Sequence, residues 1–274
     1  MTENAESWQA ELTQQDRDRY MCALKAPPAV RQDLLALLAW NAEVARVADQ
    51  VREPMAGLIR QTWWREVLEE VKAGKPPRPH LVVRAMAEAI TKHDLPLEPF
   101  AEIVHARGAD LEKAPFQTLD ELEVYCAQTA GVLQEVWTLM LNTRSVDRAS
   151  PEPASCEFQM KITEARNTGI AWGLIGTIRA THHLAHQDKL RLPTEMLDAA
   201  DVKQDDVLRG IPSAGLADVT KQIVKRAEAL TGKSKQPLAI LTRDYAKRIR
   251  KAGYYPFDPR IENGRAMRAF KLLF

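Results

Sequence analysis

Two histidines four residues apart, His182 and His186, have the spacing a transition metal asks for, because residues at i and i+4 share one face of a helix. His183 and Asp188 stand beside them. No HExxH glutamate accompanies the pair to act as a base, and three histidines at an exposed helix end explain the same residues without a metal. The P-loop, GxSxG and GxGxxG signatures are absent as well. Cys22, Cys126 and Cys156 are odd in number, far apart and never in CxxC spacing, which argues against a disulfide framework or a structural zinc site and suits a reducing compartment. Trp63, Trp64, Trp137 and Trp172 fall at helical positions and read as core rather than as a cofactor box. Arg243, Lys247, Arg248, Arg250 and Lys251 concentrate positive charge on one helix, and Ala266 to Phe274 is a short basic apolar segment. These read first as a solvated face and as Met267, Phe270 and Leu273 packing on the core; a peripheral membrane contact is the sharper alternative.

The elements that hold these residues are helical. Apolar residues recur at spacings of three and four almost everywhere, and the alternation of a strand appears nowhere at length, so the fold class is all-α. The spacing predicts a helix from Asp33 that stops near Pro54, then helices over Met55–Lys72, Leu81–Lys92, Pro96–Lys113, Leu119–Asn142 and Ala154–Ala185. A short helix around Asp205, helices over Leu216–Leu230 and Pro237–Lys251, and a tail from Asn263 complete the reading. Pro151 and Pro153 mark the break before the long Ala154–Ala185 helix.

With 274 residues, 45% apolar and 27% charged, the chain can bury one large core, and a single domain over 1–274 is expected. A net charge of +1 supplies no field that would recruit nucleic acid. The first eight residues, MTENAESW, are acidic and polar, unlike a signal or transit peptide, and no run approaches the roughly 20 apolar residues of a spanning helix. A cytoplasmic location follows as an expectation, at most peripheral at the inner face of a membrane.

The informative segments are Leu38 to Arg65 (LAWNAEVARVADQVREPMAGLIRQTWWR) and Ala165 to Pro193 (ARNTGIAWGLIGTIRATHHLAHQDKLRLP). They resemble the squalene/phytoene synthase family, head-to-head prenyl transferases with the isoprenoid-synthase fold, in order from about Asp18 to Pro193. In that family the first segment carries a DDxxD motif followed one helix later by a tryptophan-arginine pair, here Trp64-Arg65. The resemblance places Ala45, Arg46 and Asp49 on the three aspartates. In the second segment Ala165, Gly169, Ala171, Ile178, Arg179, Leu192 and Pro193 keep the family pattern, while the two aspartates of its DxxxD motif correspond to Ala180 and Leu184.

The resemblance implies an all-α bundle around a central cavity, with the two segments facing each other. In such enzymes magnesium ions held by facing carboxylate pairs neutralise a diphosphate leaving group. Of the positions 45, 49, 180 and 184 only Asp49 keeps a carboxylate, so no cofactor and no catalytic residue are expected; Glu53, four residues after Asp49, offers a shifted pair. Arg179 matches an arginine near the family's diphosphate and reads either as an anion site or as a buried ion-pair partner, with Asp49 as the candidate acid; with Asp49 and Trp172 it makes up the expected ligand-contacting set. Asp18-Arg19-Tyr20, the Glu53-Pro54-Met55 stretch, Arg179-Ala180-Thr181 and Arg191-Leu192-Pro193 resemble the branch that contains a mitochondrial respiratory complex I assembly factor. The expected function is therefore non-catalytic assembly of complex I through its subunits or assembly proteins, with an isoprenoid or lipid ligand left open, in a bacterial relative or a mature form. The alternative is a magnesium-dependent prenyl transferase that makes a squalene- or phytoene-like product.

Overall fold

Proline sets where several helices begin, because its ring presets the helical φ and its missing N–H falls where the first turn has no acceptor to lose. Pro28, Pro54 and Pro237 each open a helix in the computed structural model, which describes residues 2–51, 53–114, 116–142 and 155–263. The expected packing of Met267, Phe270 and Leu273 and the expected break at Pro151 and Pro153 lie outside the described residues.

Among the described residues the regular structure is helical throughout. In chain order it runs α1 (Thr2–Gln15), α2 (Arg17–Leu24), α3 (Pro28–Ala45), a 3-10 turn (Val47–Asp49), α4 (Pro54–Lys72), α5 (Leu81–His93), α6 (Glu98–Ala106) and a 3-10 turn (Arg107–Leu111). There follow α7 (Leu119–Cys126), a π-helical turn (Ala127–Gly131), α8 (Val132–Asn142), α9 (Cys156–Ala185), α10 (Thr194–Ala199), α11 (Gln204–Leu208), α12 (Ala214–Thr231), α13 (Pro237–Lys251) and a last 3-10 turn (Pro259–Ile261). They form two compact units, one spanning 1–111 and 132–163, the other 112–131 and 164–274.

In the first unit α3 is the central helix. Leu34, Leu37, Leu38 and Trp40 are sealed from solvent and its buried residues occur on every face, the pattern of a helix surrounded by others, here α1, α2, α5 and α8. Its neighbour α5 shows one stripe instead, with Val82, Val83, Met86, Ala89, Ile90 and His93 buried at spacings of three and four. His93 is fixed by Asp33 of α3, 2.8 Å from its Nε2 to the carboxylate. Trp40 meets Phe100 of α6 edge-on at 5.2 Å and Trp64 of α4 at 6.5 Å, geometries that suit the aromatic quadrupole.

The second unit is built on α9, α12 and α13. Leu174, Ile175 and Ile178 of α9, Val219 and Ile223 of α12, and Leu241 and Ile249 of α13 are fully buried. The two glycines of α9 at i and i+4 have a steric cause. A Cβ on Gly169 would lie 2.2 Å from the Ala130 carbonyl oxygen, and one on Gly173 would lie 2.8 Å from Cys126 Sγ, so only glycine admits α7 and its π-helical turn this close. A capping box starts α7: Thr118 accepts from the Glu121 N–H while the Glu121 carboxylate accepts from the Thr118 N–H. The continuous helix expected over 119–142 is interrupted at Ala127–Gly131, where the hydrogen bonding widens to the π form.

Candidate functional site

The first set of motif positions sits where α3 ends. Ala45 is its last residue and half-buried, Arg46 caps it, and Asp49 closes the following 3-10 turn exposed to solvent. The helix expected to continue towards Pro54 therefore stops at Ala45. Pro54 disfavours helical backbone before it, and Glu53 is extended at φ −108° and ψ 130°, so the chain leaves the helix in time to turn into α4. Asp49 and Glu53 lie on 3-10 and extended backbone, not on one helical face, and the shifted carboxylate pair has no helix to present it.

Where the resemblance places the second aspartate, Arg46 Nη2 donates to Glu11 of α1 at 2.9 Å. Three residues before it, Glu43 places Oε2 3.4 Å from Nε2 of His80. Burial pushes the Glu43 carboxyl up to about 7, the nearby Glu11 charge adds to the rise, and Arg46 opposes it. Burial also holds His80 below the usual imidazole range. Near neutrality this corner holds a half-protonated acid beside a neutral imidazole.

The second set lies on α9. Ala180 and Leu184 share a face one turn apart, and Leu184 is 4% exposed, an apolar side chain sealed where a metal-binding carboxylate belongs in the family pattern. Arg179, next to them, is held by its own unit. Its Nε donates to Glu262 Oε1 at 2.6 Å and its Nη2 to Oε2 at 3.2 Å, the two-point match of guanidinium to carboxylate. The guanidinium carbon lies 3.8 Å from the centre of the Tyr245 ring and 5.3 Å from that of Trp172. Trp172 is buried and meets Tyr245 edge-on at 5.9 Å, so it forms part of the box around Arg179.

His182 and His186 are exposed at the end of α9 with their rings edge-on at 4.7 Å. His183 turns to Gln187 at 2.9 Å and Asp188 is paired with Lys113. Among the described residues no group of three or more His, Cys, Asp or Glu side chains is placed to hold a metal ion. Cys22 and Cys126 are buried and in no disulfide, and Cys156 is exposed at the start of α9.

Sequence reasoning missed Glu43, His80, Glu262 and Tyr245. A lone acid inside the apolar run Ala42-Glu43-Val44 is a readable sign of a buried carboxyl. Glu262 has no local sign, being 83 residues from its partner.

The squalene/phytoene synthase family pattern matches residues 12–269, running through both units. The chain is 26% identical over 266 residues to the rat protein named NADH dehydrogenase (ubiquinone) complex I, assembly factor 6, covering 92% of this chain and 75% of that protein. It is 24% identical over 225 residues to phytoene synthase of Arthrospira platensis, covering 82% of this chain and 72% of the other. Its fold matches that of squalene synthase HpnC from Alicyclobacillus acidocaldarius with a TM-score of 0.73 at 18% identity, over 93% of this chain and 95% of that one. The likeness establishes the isoprenoid-synthase helical fold. These relatives also correct the expected cytoplasmic location: assembly factors of complex I from rat and other mammals point to the mitochondrion, where mammals keep that complex.

Proposed function

This chain belongs to the squalene/phytoene synthase family, and from that premise we propose that it has given up prenyl transfer and serves the assembly of respiratory complex I by binding complex I subunits, assembly proteins or a lipid-like ligand. One observation carries the reading. Of the four positions that should pair carboxylates across the diphosphate, one is an exposed Asp49 on a 3-10 turn, two are alanines, and the fourth is the sealed Leu184. Magnesium favours several hard oxygen ligands in near-octahedral array, and a single solvated carboxylate holds it weakly. The diphosphate-side arginine is likewise engaged by Glu262 and Tyr245.

The residues left at the motif positions supply packing, a salt bridge and a cation–π box rather than metal ligands, while the helices that carry them persist. A fold kept under these conditions is kept for its surface or for an apolar guest. The assembly-factor relatives favour complex I as the setting. Incubation of the purified chain with farnesyl diphosphate and magnesium is expected to release no diphosphate above the background rate. Deletion of its gene is expected to lower NADH-linked complex I activity with isoprenoid content unchanged. Turnover that disappears in Asp49→Asn would restore the prenyl-transferase alternative.

A further inference from the structure

Away from Arg179 and its box, the first unit contains a pocket of about 500 Å³ between the end of α3, the 3-10 turn after it, α4 and the residue that precedes α5. Small-molecule sites span roughly 300–1,000 Å³. Val47 and the buried Trp64 supply its apolar lining, Glu43 and His80 a titratable pair, and Gln50, Ile59 and Arg60 are its solvent-exposed members. We propose that this pocket binds a monocarboxylate carrying an apolar body, such as a medium-chain fatty acid, with Arg60 as the residue that holds the carboxylate.

Charge selects the headgroup. Arg46 is already neutralised by Glu11, whereas Arg60 donates to the uncharged Gln50 carboxamide, and among the described residues no carboxylate pairs with it. With Glu43 protonated the described lining carries about one unbalanced positive charge, which a monoanion satisfies, and ionisation of Glu43 takes that charge away. A dianionic phosphate would leave negative charge beside Glu43. A planar guanidinium also matches a carboxylate oxygen for oxygen.

The walls select the rest of the ligand. Trp63 is partly exposed and stands edge-on to Trp64 at 4.8 Å. Ile59 is 65% exposed, Met55, one turn before it on α4, is 66% exposed, and Leu58, beside Ile59 in the chain, is 45% exposed. An alkyl chain leaving the pocket along α4 would cover them. Arg46 Nε and His80 Nδ1 are buried without a hydrogen-bond partner, an uncommon cost in a folded protein and one that a bound polar group or its attendant water would relieve.

The same corner makes binding pH-dependent. The groups that face Glu43 are Glu11 from α1, Arg46 from α3 and His80 before α5. Below the Glu43 midpoint the acid is neutral and the site favours an anion; above it an ionised carboxylate opposes one.

The test uses the intact chain, tryptophan fluorescence and calorimetry, with decanoate as the probe and decanol, acetate and decyl phosphate as comparisons. Decanoate is ionised across the range used, so any pH dependence belongs to the protein. One decanoate per chain is expected, about tenfold tighter than decanol or acetate, and several-fold tighter at about pH 6 than at about pH 8. Arg60→Ala should weaken it by about tenfold with Arg60→Lys restoring part of the loss, and Glu43→Gln should bind with the pH dependence removed. No saturable decanoate binding, equal binding of decanol, tighter binding of decyl phosphate, or indifference to Arg60→Ala would each overturn the proposal. These readouts do not depend on prenyl transfer or on complex I, so the site stands or falls apart from the function proposed above.

Discussion

The two regions that carry the family's motif positions depart from its carboxylates in opposite ways. On α9 the space is closed: Leu184 is buried, and Arg179 is pinned by Glu262 and sandwiched against Tyr245. At the end of α3 it stays wet and charged, with Asp49 exposed, Arg46 drawn to Glu11, and a pocket next to Glu43. Two segments that match one family pattern need not depart from it evenly. The closed half has become structure, while the open half keeps polar groups in strained company, and polar groups in that state can still respond to solvent and ligands.

The contrast is broken most directly at Leu184. Leu184→Asp restores the family residue but buries an unpaired charge in the closed region, and a loss of about 3–5 kcal/mol in chemical denaturation is expected. A loss below about 1 kcal/mol would mean that the α9 region is as open as the α3 region.

The next effect belongs to the open half. Glu43 has its pKa raised from 4.5 to about 7 in the folded chain. The folded state therefore holds the proton more tightly than the unfolded state, and stability falls as pH rises from 4.5 through 7, with the full penalty present above that window. Allowing for its partial exposure, the penalty is about 2 kcal/mol. Glu43→Gln should accordingly be more stable than the parent at about pH 8 and equal to it at about pH 4, as read from urea unfolding at each pH. An advantage that does not vary with pH would place its cause outside this titration.

The smallest effect sharpens the same point. Glu11→Gln removes one negative neighbour of Glu43 and also the half-exposed partner of Arg46. It should cost less than about 1 kcal/mol and move the Glu43 midpoint downwards, which carboxyl NMR titration can follow. An unmoved midpoint would leave burial as its sole cause.

Periodicity gave α4 and α13 nearly to the residue, because in each a proline opens the helix and the apolar stripe runs to its end. It gave nothing for α1. That helix is polar, and of its described side chains Trp8 and Leu12 form the buried part, too thin a stripe to stand out. It overran α3 because Val47 and Val51 keep the apolar rhythm across a turn that is no longer α-helical. It passed over the π-helical turn because one widened turn changes no residue type. At the site, the lost carboxylates were legible once the register was set, but what replaced them was not. Glu11 and Glu262 are tied to their arginines by the fold and by nothing in the neighbouring sequence.

The three cysteines, none of them in a disulfide, make the chain its own clock. Cys156 is open to a maleimide in the native protein, while Cys22 and Cys126 are covered. Burial, with Asp16 and Asp18 behind it, raises the Cys22 thiol well above its ordinary range, so little thiolate is present to react even when reagent comes near. Cys22 belongs to the first unit and Cys126 to the second, and each is released when its own surroundings open. After the first rapid label, the order in which the remaining two masses appear would record which unit breathes first, without any residue being changed.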